Sequence, residues 1–508
     1  MISTTLQQNS DTGCGNGKNR TQTVYRLCGL AAGLGLWQLT AVLIAQPLIV
    51  PRLEAIAAAV VNILTGEDFF LTVAATLLRI AATIAIDTVI AFLLGIAAGV
   101  SKRIEAALSP FETAMRAVPT MGVLLLSLIW FNSEITPIFV ASLIALPLLY
   151  RGVVNGVKNI DIRLIQMSTG FKVSFVRKLT QLYIPSIRPF TLTAYSATLG
   201  LLVKVMVTAE VLSQPRRGIG TEFQIARAQL DTATIFGWGI LVIIFAALME
   251  QAAKRILSYN KVRKAMQTAD IALSDTSVDT EEYSDTDVYA GSGKQAAEIH
   301  IDRISFSFES VPVFQSFSLE VKPARINYIL GRSGRGKTTL LFLIAGFLHP
   351  QRGTIRISPP DAKIGFAYQD LRLIPHLTAE ENIRYVLPSN YGMEKTKRIA
   401  RRYLQLFGLQ GFEHFLPAEL SGGMQRRVSL ARALAYPSEI LLLDEAFDSL
   451  DLETKKAAAR VFSRIVRQQR RTVLCVTHDP IFTQLIQGVT LEIRNQQPRR
   501  KHRGMLFS

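Results

Sequence analysis

The chain has 508 residues, of which 49% are hydrophobic, and a formal net charge of +17. One hydrophobic core rarely organises a chain of this length, so we expect at least two domains. In a soluble protein, such a basic composition would indicate a nucleic-acid partner, but here the basic residues flank long apolar segments. We therefore exclude nucleic acid as a partner and expect membrane lipid instead.

Six apolar segments in the first half of the chain are candidates for membrane-spanning helices, because a crossing needs about 20 apolar residues. In chain order they are 26–48, 80–100, 114–131, 136–150, 190–212 and 234–253. The third contains Arg116 and Pro119 and the fourth is short, so these two form either two crossings or one re-entrant hairpin. The chain thus crosses the membrane six or four times. Segment 53–78 mixes apolar and acidic residues and is expected to be an amphipathic helix at the outer face.

The basic residues around these segments predict the orientation of the chain. Eighteen of the 24 Lys and Arg residues before position 265 lie on one side of the predicted spans, and four lie on the other. Cytoplasmic loops carry the excess of Lys and Arg. We therefore expect a multi-pass protein with both termini in the cytoplasm.

Two charged residues, Asp87 and Lys204, lie inside predicted spans, where a charge costs roughly 2.5 to 3.5 kcal/mol. Both have a similar predicted depth, so one hypothesis is a buried ion pair between them. In a second, Lys204 reaches the interface while Asp87 bonds a hydroxyl. In a third, Lys204 binds an anionic substrate.

Residues 258–295 separate the apolar half from the rest of the chain. Within them, 265–293 contain seven acidic residues and no Lys or Arg. Such a composition cannot bury enough apolar surface to offset the entropy of ordering. We expect a flexible acidic tether that keeps the two halves at a high effective concentration.

A glycine-rich loop follows a buried-strand signal at 326–330. Its sequence, GRSGRGKT, is a Walker A motif, in which backbone N–H groups surround phosphates at the start of a helix. Lys337 is expected to contact the β and γ phosphates of ATP, and the Thr338 hydroxyl to bind Mg²⁺. The predicted ATP-binding residues of this loop are Gly331, Ser333, Gly334, Gly336, Lys337, Thr338 and Thr339.

Two further strands end in candidate catalytic residues. The apolar strand 440–443 is followed by Asp444, expected to bind Mg²⁺, and Glu445, expected to act as the general base on water. His478 follows the strand 472–476 and is a catalytic candidate together with Glu445 and Lys337. The sequence therefore predicts an enzyme that hydrolyses ATP with Mg²⁺ as cofactor.

The segment LSGGMQ at 420–425 opens a helix that runs to Leu434. It places a hydroxyl and backbone donors outward at the positive end of that helix. With these motifs, residues 298–492 resemble the ABC ATPases. The resemblance implies that Ser421, Gly422, Gly423 and Gln425 bind the γ phosphate of ATP held by a second copy of the domain. One Walker A loop and one such signature per chain then require a dimer.

The same resemblance assigns roles to three other residues. Gln369 matches the loop residue that contacts Mg²⁺ and communicates with the membrane domain, and His478 matches the histidine that contacts the γ phosphate. Phe308 is the candidate for stacking on adenine, with a role in the core as the alternative. The chain departs from the family pattern, without losing a phosphate or metal ligand, at Ala324, Arg325, Ala446 and Asp448.

Residues 26–256 resemble the permease subunits of bacterial binding-protein-dependent ABC importers. The loop at 160–189 has the spacing of their coupling helix, which docks on the ATPase, although Gln166, Ser168 and Lys172 stand where the family has Glu, Ala and Gly. The resemblance implies a separate extracytoplasmic solute-binding protein and a location in the bacterial inner membrane.

A smaller motif indicates a branch of that family. Ala209–Glu210 followed by Gly218–Gly220 is similar to the nitrate, sulfonate, taurine and thiamine-pyrimidine transporters. The substrate is therefore expected among such molecules. Glu210 itself is expected to be a carboxylate at the outer interface.

These observations predict a multi-domain fold: an all-α polytopic transmembrane domain followed by an α/β P-loop NTPase domain of the ABC type. The predicted parts are a cytoplasmic tail (1–25), a permease domain (26–257), an acidic linker (258–295), an ATP-binding domain (296–495) and a basic tail (496–508). The predicted function is ATP-driven uptake of a small solute by a homodimer. The alternatives are an exporter half-transporter and an ATP-binding membrane sensor with little turnover.

Overall fold

The computed structural model of the chain describes residues 15–274, 296–309, 311–330, 334–448 and 450–492. They form two compact units. Of the described residues, the helical unit comprises 15–158 together with Ile187–Asn260, and the α/β unit comprises Asn159–Ser186 together with those from Lys261 to 492. The α/β unit is therefore built from two separate stretches, and the first of them contains most of the predicted coupling loop.

The helical unit exposes large apolar side chains, such as Ile129 at 78% and Leu93 at 69%, as expected where lipid replaces water. Its helices are α1 (Gly15–Ile44), α2 (Leu53–Thr65), α3 (Phe69–Val100), α4 (Lys102–Ala117), α5 (Thr120–Trp130), α6 (Thr136–Lys158), α9 (Ile184–Ser213), α10 (Ile219–Ala228) and α11 (Thr232–Ser274). Between α6 and α9 the chain forms α7 (Ile162–Gly170), α8 (Phe175–Lys178) and a π-helical turn (Leu179–Tyr183).

Four of the described segments are long and apolar enough to cross a membrane. They are α3, α6, the stretch Phe175–Ser213 that ends with α9, and Thr232–Ala252 of α11. The apolar part of α1, Cys28–Ile44, is shorter, and α4 with α5 qualifies only as a pair bent by 99°. The predicted spans at 80–100, 190–212 and 234–253 lie within or almost within these segments.

The predicted span at 114–131 is wrong as a single helix. α4 ends at Ala117 and α5 begins at Thr120, and Val118 and Pro119 between them have extended backbone angles. A proline ring disfavours the helical conformation of the residue before it, which accounts for the break at Val118.

The next predicted span, 136–150, is longer than expected. α6 continues to Lys158 as one helix of 23 residues. Arg151, whose charge marked the predicted end, pairs with Glu112 of α4 at 2.6 Å. α6 thus has the length of a full crossing, whereas the bent pair of α4 and α5 is either a broken span or a re-entrant loop, so the number of crossings stays a prediction.

The predicted amphipathic helix at 53–78 consists of parts of two helices. α2 ends at Thr65, and Gly66 after it has extended backbone angles. α3 begins at Phe69, so residues 69–78 belong to a long apolar helix. The acidic residues at 67 and 68 mark the break between the helices instead of a polar helix face.

The predicted ion pair between Asp87 and Lys204 does not occur. Asp87 is fully buried in α3, whereas Lys204 lies on an exposed face of α9. Equal depth in two helices does not fix the direction in which each side chain points around its own helix. The equal predicted depth of Asp87 and Lys204 is therefore not enough to predict a contact between them.

The described residues of the α/β unit form two sheets. The antiparallel sheet has the order β2-β1-β4, with strands β1 (Glu298–Phe308), β2 (Val311–Val321) and β4 (Arg352–Ser358). The parallel sheet has the order β5-β6-β7-β3-β8, with strands β3 (Ile326–Leu330), β5 (Ile364–Ala367), β6 (Ile440–Asp444), β7 (Thr472–Val476) and β8 (Val489–Glu492).

The parallel sheet forms the core of this unit. Every residue of β6 and β7 is buried, as expected for strands covered on both faces. The helices that follow β3 are α12 (Lys337–Ile344), α13 (Ala379–Arg384), α14 (Met393–Leu406), α15 (Gly422–Ala435), α16 (Leu452–Gln468) and α17 (Pro480–Leu485). The carboxyl ends of β3, β5, β6 and β7 meet at one edge, which is where open α/β sheets bind ligands.

The predicted flexible linker, 258–295, begins as a helix. α11 continues to Ser274, because the residues after 260 include several good helix formers and neither Gly nor Pro. Similarly, α1 begins at Gly15, inside the predicted tail 1–25. Residues 275–295 of the linker and the tail at 496–508 lie outside the described residues.

Candidate functional site

The Walker A loop connects β3 to α12. Gly331 and Ser333 lie outside the described residues. Gly334 and Gly336 have φ angles of 79° and 80°, in the left-handed region that favours glycine. A Cβ on Gly336 would lie 2.4 Å from Cγ1 of Val313, so no side chain fits at this position. The loop conformation therefore depends on the glycines that define the motif.

Lys337, Thr338 and Thr339 form the first turn of α12, whose backbone N–H groups have no acceptor within the helix. The Lys337 side chain is buried. Burial lowers the pKa of its ammonium group, and the carboxylates of Glu445 and Asp444 oppose that effect. A cation and backbone donors thus lie together at the ligand-binding edge of the sheet, an arrangement that suits phosphates.

Asp444 ends β6 beside this turn and is 2% exposed. Burial raises its pKa to about 6, although a hydrogen bond from Thr338 acts in the opposite direction. Its Oδ1 atom has no hydrogen-bond partner in the described part of the chain. Mg²⁺ would supply that partner, because it accepts one carboxylate together with hydroxyl and phosphate oxygens. The described residues contain no cluster of three or more His, Cys, Asp or Glu side chains suited to a metal.

Glu445 follows β6 and contacts the residues that follow β5 and β7. Its φ angle is 48°, and its N–H donates to the carbonyl oxygen of Val476 at 2.9 Å. Gln369 Nε2 donates to Glu445 Oε2 at 2.9 Å, and His478 Nε2 lies 3.4 Å from Oε1. Three residues predicted separately, at the ends of β5, β6 and β7, therefore lie in direct contact.

Asp448, noted above as a departure from the family pattern, supports this group. Its Oδ1 accepts a hydrogen bond from the Thr477 hydroxyl at 2.9 Å, and its Oδ2 accepts one from the His478 N–H at 3.5 Å. The carboxylate therefore holds the loop that carries His478. Sequence reasoning missed this contact, because the two residues are 29 and 30 positions apart in the chain.

The signature residues lie at the start of α15. Ser421 is the N-cap and accepts a hydrogen bond from the N–H of Met424 at 3.3 Å. Ser421 and Gly422 are exposed, as predicted for a site that serves a second copy. The Gln425 amide donates to the carbonyl oxygens of Pro417 and Leu420, so here it holds its own loop. In the described residues, no hydrogen bond joins the signature to Glu445 or His478.

Phe308 lies at the end of β1. It is 50% exposed, and its ring contacts Phe306 edge to face with the centroids 4.9 Å apart. The exposure argues against the alternative of a core residue and leaves one face of the ring accessible for stacking.

The coupling loop contacts the residues that follow Gln369. Arg163 at the start of α7 pairs with Asp370 at 3.4 Å. Arg372 donates to the side-chain oxygen of Gln166 at 3.3 Å. The loop position where the family has Glu therefore holds an amide that still accepts a hydrogen bond from the ATPase side.

Two more substituted positions of this loop have a structural role. Ser168 is buried and shares a hydrogen bond of 2.9 Å with the hydroxyl of Tyr385. Lys172, where the family has Gly, has a φ angle of 50°. The backbone conformation that favours glycine is thus retained although the residue is lysine.

Sequence reasoning also missed a buried ionic network in the helical unit. Glu210 is fully buried among other residues of the unit, and its place at the outer interface stays a prediction. Arg79 pairs with Glu210 at 2.6 Å and with Glu134 at 2.5 Å. The N–H of Gly220 donates to Glu210 at 3.0 Å, and a Cβ on Gly220 would lie 2.4 Å from the Cβ of Glu210. The glycines of the motif are required because the loop packs directly against this carboxylate.

Two protein-family models match the chain. The model described as "Binding-protein-dependent transport system inner membrane component" matches residues 88–256. The model described as "ABC transporter" matches residues 314–448. They match in the order predicted, with the permease domain before the ATP-binding domain.

Among similar proteins, the chain is 37% identical over 188 residues to "Taurine import ATP-binding protein TauB" of Yersinia pestis, covering 36% of this chain and 73% of that protein. It is 37% identical over 195 residues to "Sulfate/thiosulfate import ATP-binding protein CysA" of Mesorhizobium japonicum, again over 36% of this chain but spanning only 56% of that protein. Among solved structures it is similar to the "Dimeric structure of a post-hydrolysis state of the ATP-binding cassette MJ0796 bound to ADP and Pi", at 27% identity and a TM-score of 0.36, over 39% of this chain and 94% of that chain.

The motifs, the two family models and the two import ATP-binding proteins agree. The predicted fold class is confirmed: apolar helices precede an α/β P-loop domain of the ABC type. The chain belongs to the ABC transporter family, as a polypeptide in which a permease domain of the binding-protein-dependent type precedes an ABC ATPase domain.

Proposed function

We propose that the chain is one half of an ATP-driven importer, a homodimer that moves a small solute across the bacterial inner membrane. The observation that carries the proposal is the contact between α7 and the residues after β5. Arg163 pairs with Asp370, and Gln166 accepts a hydrogen bond from Arg372. These contacts join the permease loop to the segment that begins with Gln369, whose side chain contacts the proposed catalytic base.

ATP binds, in this proposal, with its phosphates on the Walker A loop and the first turn of α12, and with its adenine on Phe308. Thr338, Gln369 and Asp444 hold Mg²⁺, which neutralises charge on the phosphate oxygens when it is bound. The unpartnered Oδ1 of Asp444 supports this assignment. Lys337 supplies the cation that contacts the β and γ phosphates.

Glu445 acts as the general base, accepting a proton from the water that attacks the γ phosphate. The hydrogen bond from Gln369 to Oε2 and the nearby His478 ring fix the direction of its carboxylate. Because Gln369 also precedes the docking contacts of α7, a movement of the coupling loop alters the position of the base. Hydrolysis and transport are coupled through this short connection.

The signature residues act on a second copy of the chain. Ser421 and Gly422 are exposed at the start of α15 and have no hydrogen bond to the catalytic group of their own domain in the described residues. Two chains that face each other would enclose two ATP molecules, each between one Walker A loop and the other chain's signature. Closure of that dimer opens the permeases outward, and hydrolysis resets them.

The coupling loop supports import over export. The excess of Lys and Arg on one side of the spans supports cytoplasmic termini. We propose the domain bounds given above, with α11 extending into the linker as far as Ser274. The relatives are named for import of taurine and of sulfate or thiosulfate. A sulfonate, nitrate, taurine or a thiamine precursor, delivered by an extracytoplasmic solute-binding protein, is the proposed substrate class.

Reconstitution into proteoliposomes tests the proposal. We expect uptake of a labelled sulfonate that needs ATP on the side of the α/β unit and a solute-binding protein on the other. Lys337→Ala should abolish uptake, whereas Lys322→Ala, at an exposed position outside the site, should not. Transport toward the opposite side, stimulated by lipophilic compounds alone, would instead identify an exporter. Slow ATP turnover that Lys337→Ala leaves unchanged would identify a sensor.

A further inference from the structure

Two adjacent cavities lie within the α/β unit, beside the turn that follows α7. The smaller has a volume of about 130 Å³ and the larger about 350 Å³. Arg177 and Ser389 line both of them. Neither cavity is lined by a residue of the Walker A loop, the signature or the catalytic group, so the proposed ATP site does not account for them.

The smaller cavity is lined by three cations and no carboxylate. Lys172 and Arg177 come from the coupling loop and Lys363 from the residues before β5. Ser174 and Ser389 also line it. Within the described residues, the ammonium groups of Lys172 and Lys363 form no ion pair. Like charges that line one cavity repel each other unless an anion lies between them.

The backbone at Lys172 is a second, independent observation. Its φ angle of 50° is held by its N–H, which donates to the carbonyl oxygen of Thr169 at 2.9 Å, and by the next N–H, which donates to Ser168 at 3.0 Å. Glycine adopts this conformation without strain, and glycine is the residue of the family pattern at this position. The lysine therefore places a cation at the cavity from a turn that glycine would form without strain.

The smaller cavity has room for a tetrahedral oxyanion. A cavity needs roughly 10 to 15 Å³ to hold one water molecule, so about 130 Å³ is ample for a group of four oxygens around one central atom. The larger cavity leaves space for an organic extension. It is lined by Arg384, whose Nε is buried without a hydrogen-bond partner in the described part of the chain.

We propose that Lys172, Arg177 and Lys363 form a second anion site, which binds a phosphate or a chemically similar tetrahedral oxyanion outside the ATP site. The anion is either free in the cytoplasm or the headgroup phosphate of an anionic lipid. It joins the coupling loop to the ATPase, where Arg177 already donates to the carbonyl oxygens of Tyr385 and Leu387. The proposed regulation of coupling by this anion depends on the proposed transport function, whereas binding of the anion to the site does not.

The first test measures binding of a free anion. The full chain with Lys337→Ala, which weakens the Walker A site, is titrated in detergent with sodium sulfate at constant ionic strength, and the melting temperature is followed. We expect a saturable rise, with affinity roughly tenfold lower after Lys172→Gly and again after Lys363→Gln. Lys172→Gly is informative because it relieves backbone strain while it removes the cation. Lys322→Gln, a matched exposed lysine, should leave the affinity unchanged.

The second test identifies a lipid source. The chain with an intact Walker A loop is placed in nanodiscs of phosphatidylglycerol or phosphatidylcholine, and ATP hydrolysis is compared. If the lipid supplies the phosphate, hydrolysis depends on the headgroup, and the double variant Lys172→Gln with Lys363→Gln loses that dependence. If sulfate and lipid responses are both the same in the double variant and in the unmodified chain, the proposal is overturned. The sulfate titration uses a chain that does not turn over ATP. A negative result there would therefore contradict the anion site without contradicting the proposed transport function.

Discussion

Two buried charged sites of this protein, one in each unit, have opposite surroundings. In the helical unit, Arg79 is surrounded by acceptors, with Glu210 at 2.6 Å and Glu134 at 2.5 Å. In the α/β unit, Asp444 keeps a buried oxygen without a partner in the described residues. A satisfied network stabilises one arrangement of the chain, whereas an unsatisfied oxygen next to a cation is suited to a ligand. We therefore expect substitutions in the first network to affect folding, and substitutions around Asp444 to affect chemistry.

The largest effect is expected at the proposed base. Glu445→Gln keeps the shape of the side chain but removes the proton acceptor, so ATP turnover should fall by about 10² to 10⁴-fold while ATP binding is retained. Turnover is measured by phosphate release and binding by retention of labelled ATP. Glu453→Gln, on an exposed carboxylate of α16, is the matched control and should leave turnover unchanged. If Glu445→Gln hydrolyses ATP within a few-fold of the normal rate, Glu445 is not the general base.

The next largest effect tests the network in the helical unit. Arg79→Met leaves Glu210 buried without its cation, so the free energy of unfolding should fall by about 3 to 5 kcal/mol. Thermal unfolding in detergent measures this change. Arg217→Met removes an exposed guanidinium that lies 3.7 Å from Asp68 and should cost only about 0.5 kcal/mol.

A double variant sharpens the same comparison. Arg79→Met with Glu210→Met replaces both charges by apolar groups of similar length, and it should be more stable than Arg79→Met alone. If Arg79→Met melts at the same temperature as Arg217→Met, the network does not stabilise the fold.

A smaller effect is expected where the coupling loop packs on the ATPase. A Cβ on Gly170 would lie 2.6 Å from Cζ of Phe347, so Gly170→Ala should weaken docking by about 1 to 3 kcal/mol. The expected result is less solute transported for each ATP hydrolysed. Phe347→Leu in the same chain makes room for the added methyl group and should restore part of the coupling. Coupling that Gly170→Ala leaves intact would contradict the proposed contact.

The smallest effect concerns one hydrogen bond. The Ser168 hydroxyl donates to the carbonyl oxygen of Leu164 at 2.7 Å, so the Tyr385 hydroxyl is the donor in the bond between them. Tyr385→Phe should therefore lower the free energy of unfolding by about 0.5 to 1.5 kcal/mol without leaving an unsatisfied donor. Thermal unfolding of the full chain measures it, with Tyr391→Phe as control. If Tyr391→Phe lowers the free energy of unfolding more than Tyr385→Phe does, the hydrogen bond to Ser168 is not the source of this stability.

The ATPase motifs were predictable because their chemistry fixes both residue type and local spacing. Gly336 must be glycine for a positive φ and for close packing, and Glu445 follows a strand whose apolar residues are evident in the sequence. The sequence also predicted which strands carry site residues. It did not predict that Gln369 and His478 would both contact Glu445, because that depends on the order of strands in the sheet.

The helical unit was predicted less well, for a physical reason. Hydropathy reports which segments are apolar but not the direction of each side chain, so Arg79 and Glu210, 131 positions apart, were not paired. Helix ends were also misplaced. α6 continues past Arg151, which is a good helix former and pairs with Glu112, and this contact is not visible in the local sequence.

The interrupted α/β unit also has a consequence for synthesis of the chain. Ser168 and Tyr385, which share a hydrogen bond, are 217 positions apart. At roughly 5 to 20 residues per second, the coupling loop leaves the ribosome roughly 10 to 40 seconds before its binding surface exists. During that interval the buried Ser168 and Met167 are without the partners they have in the folded unit. The order of the two domains in the gene therefore creates a waiting period in which the loop is open to proteases and chaperones.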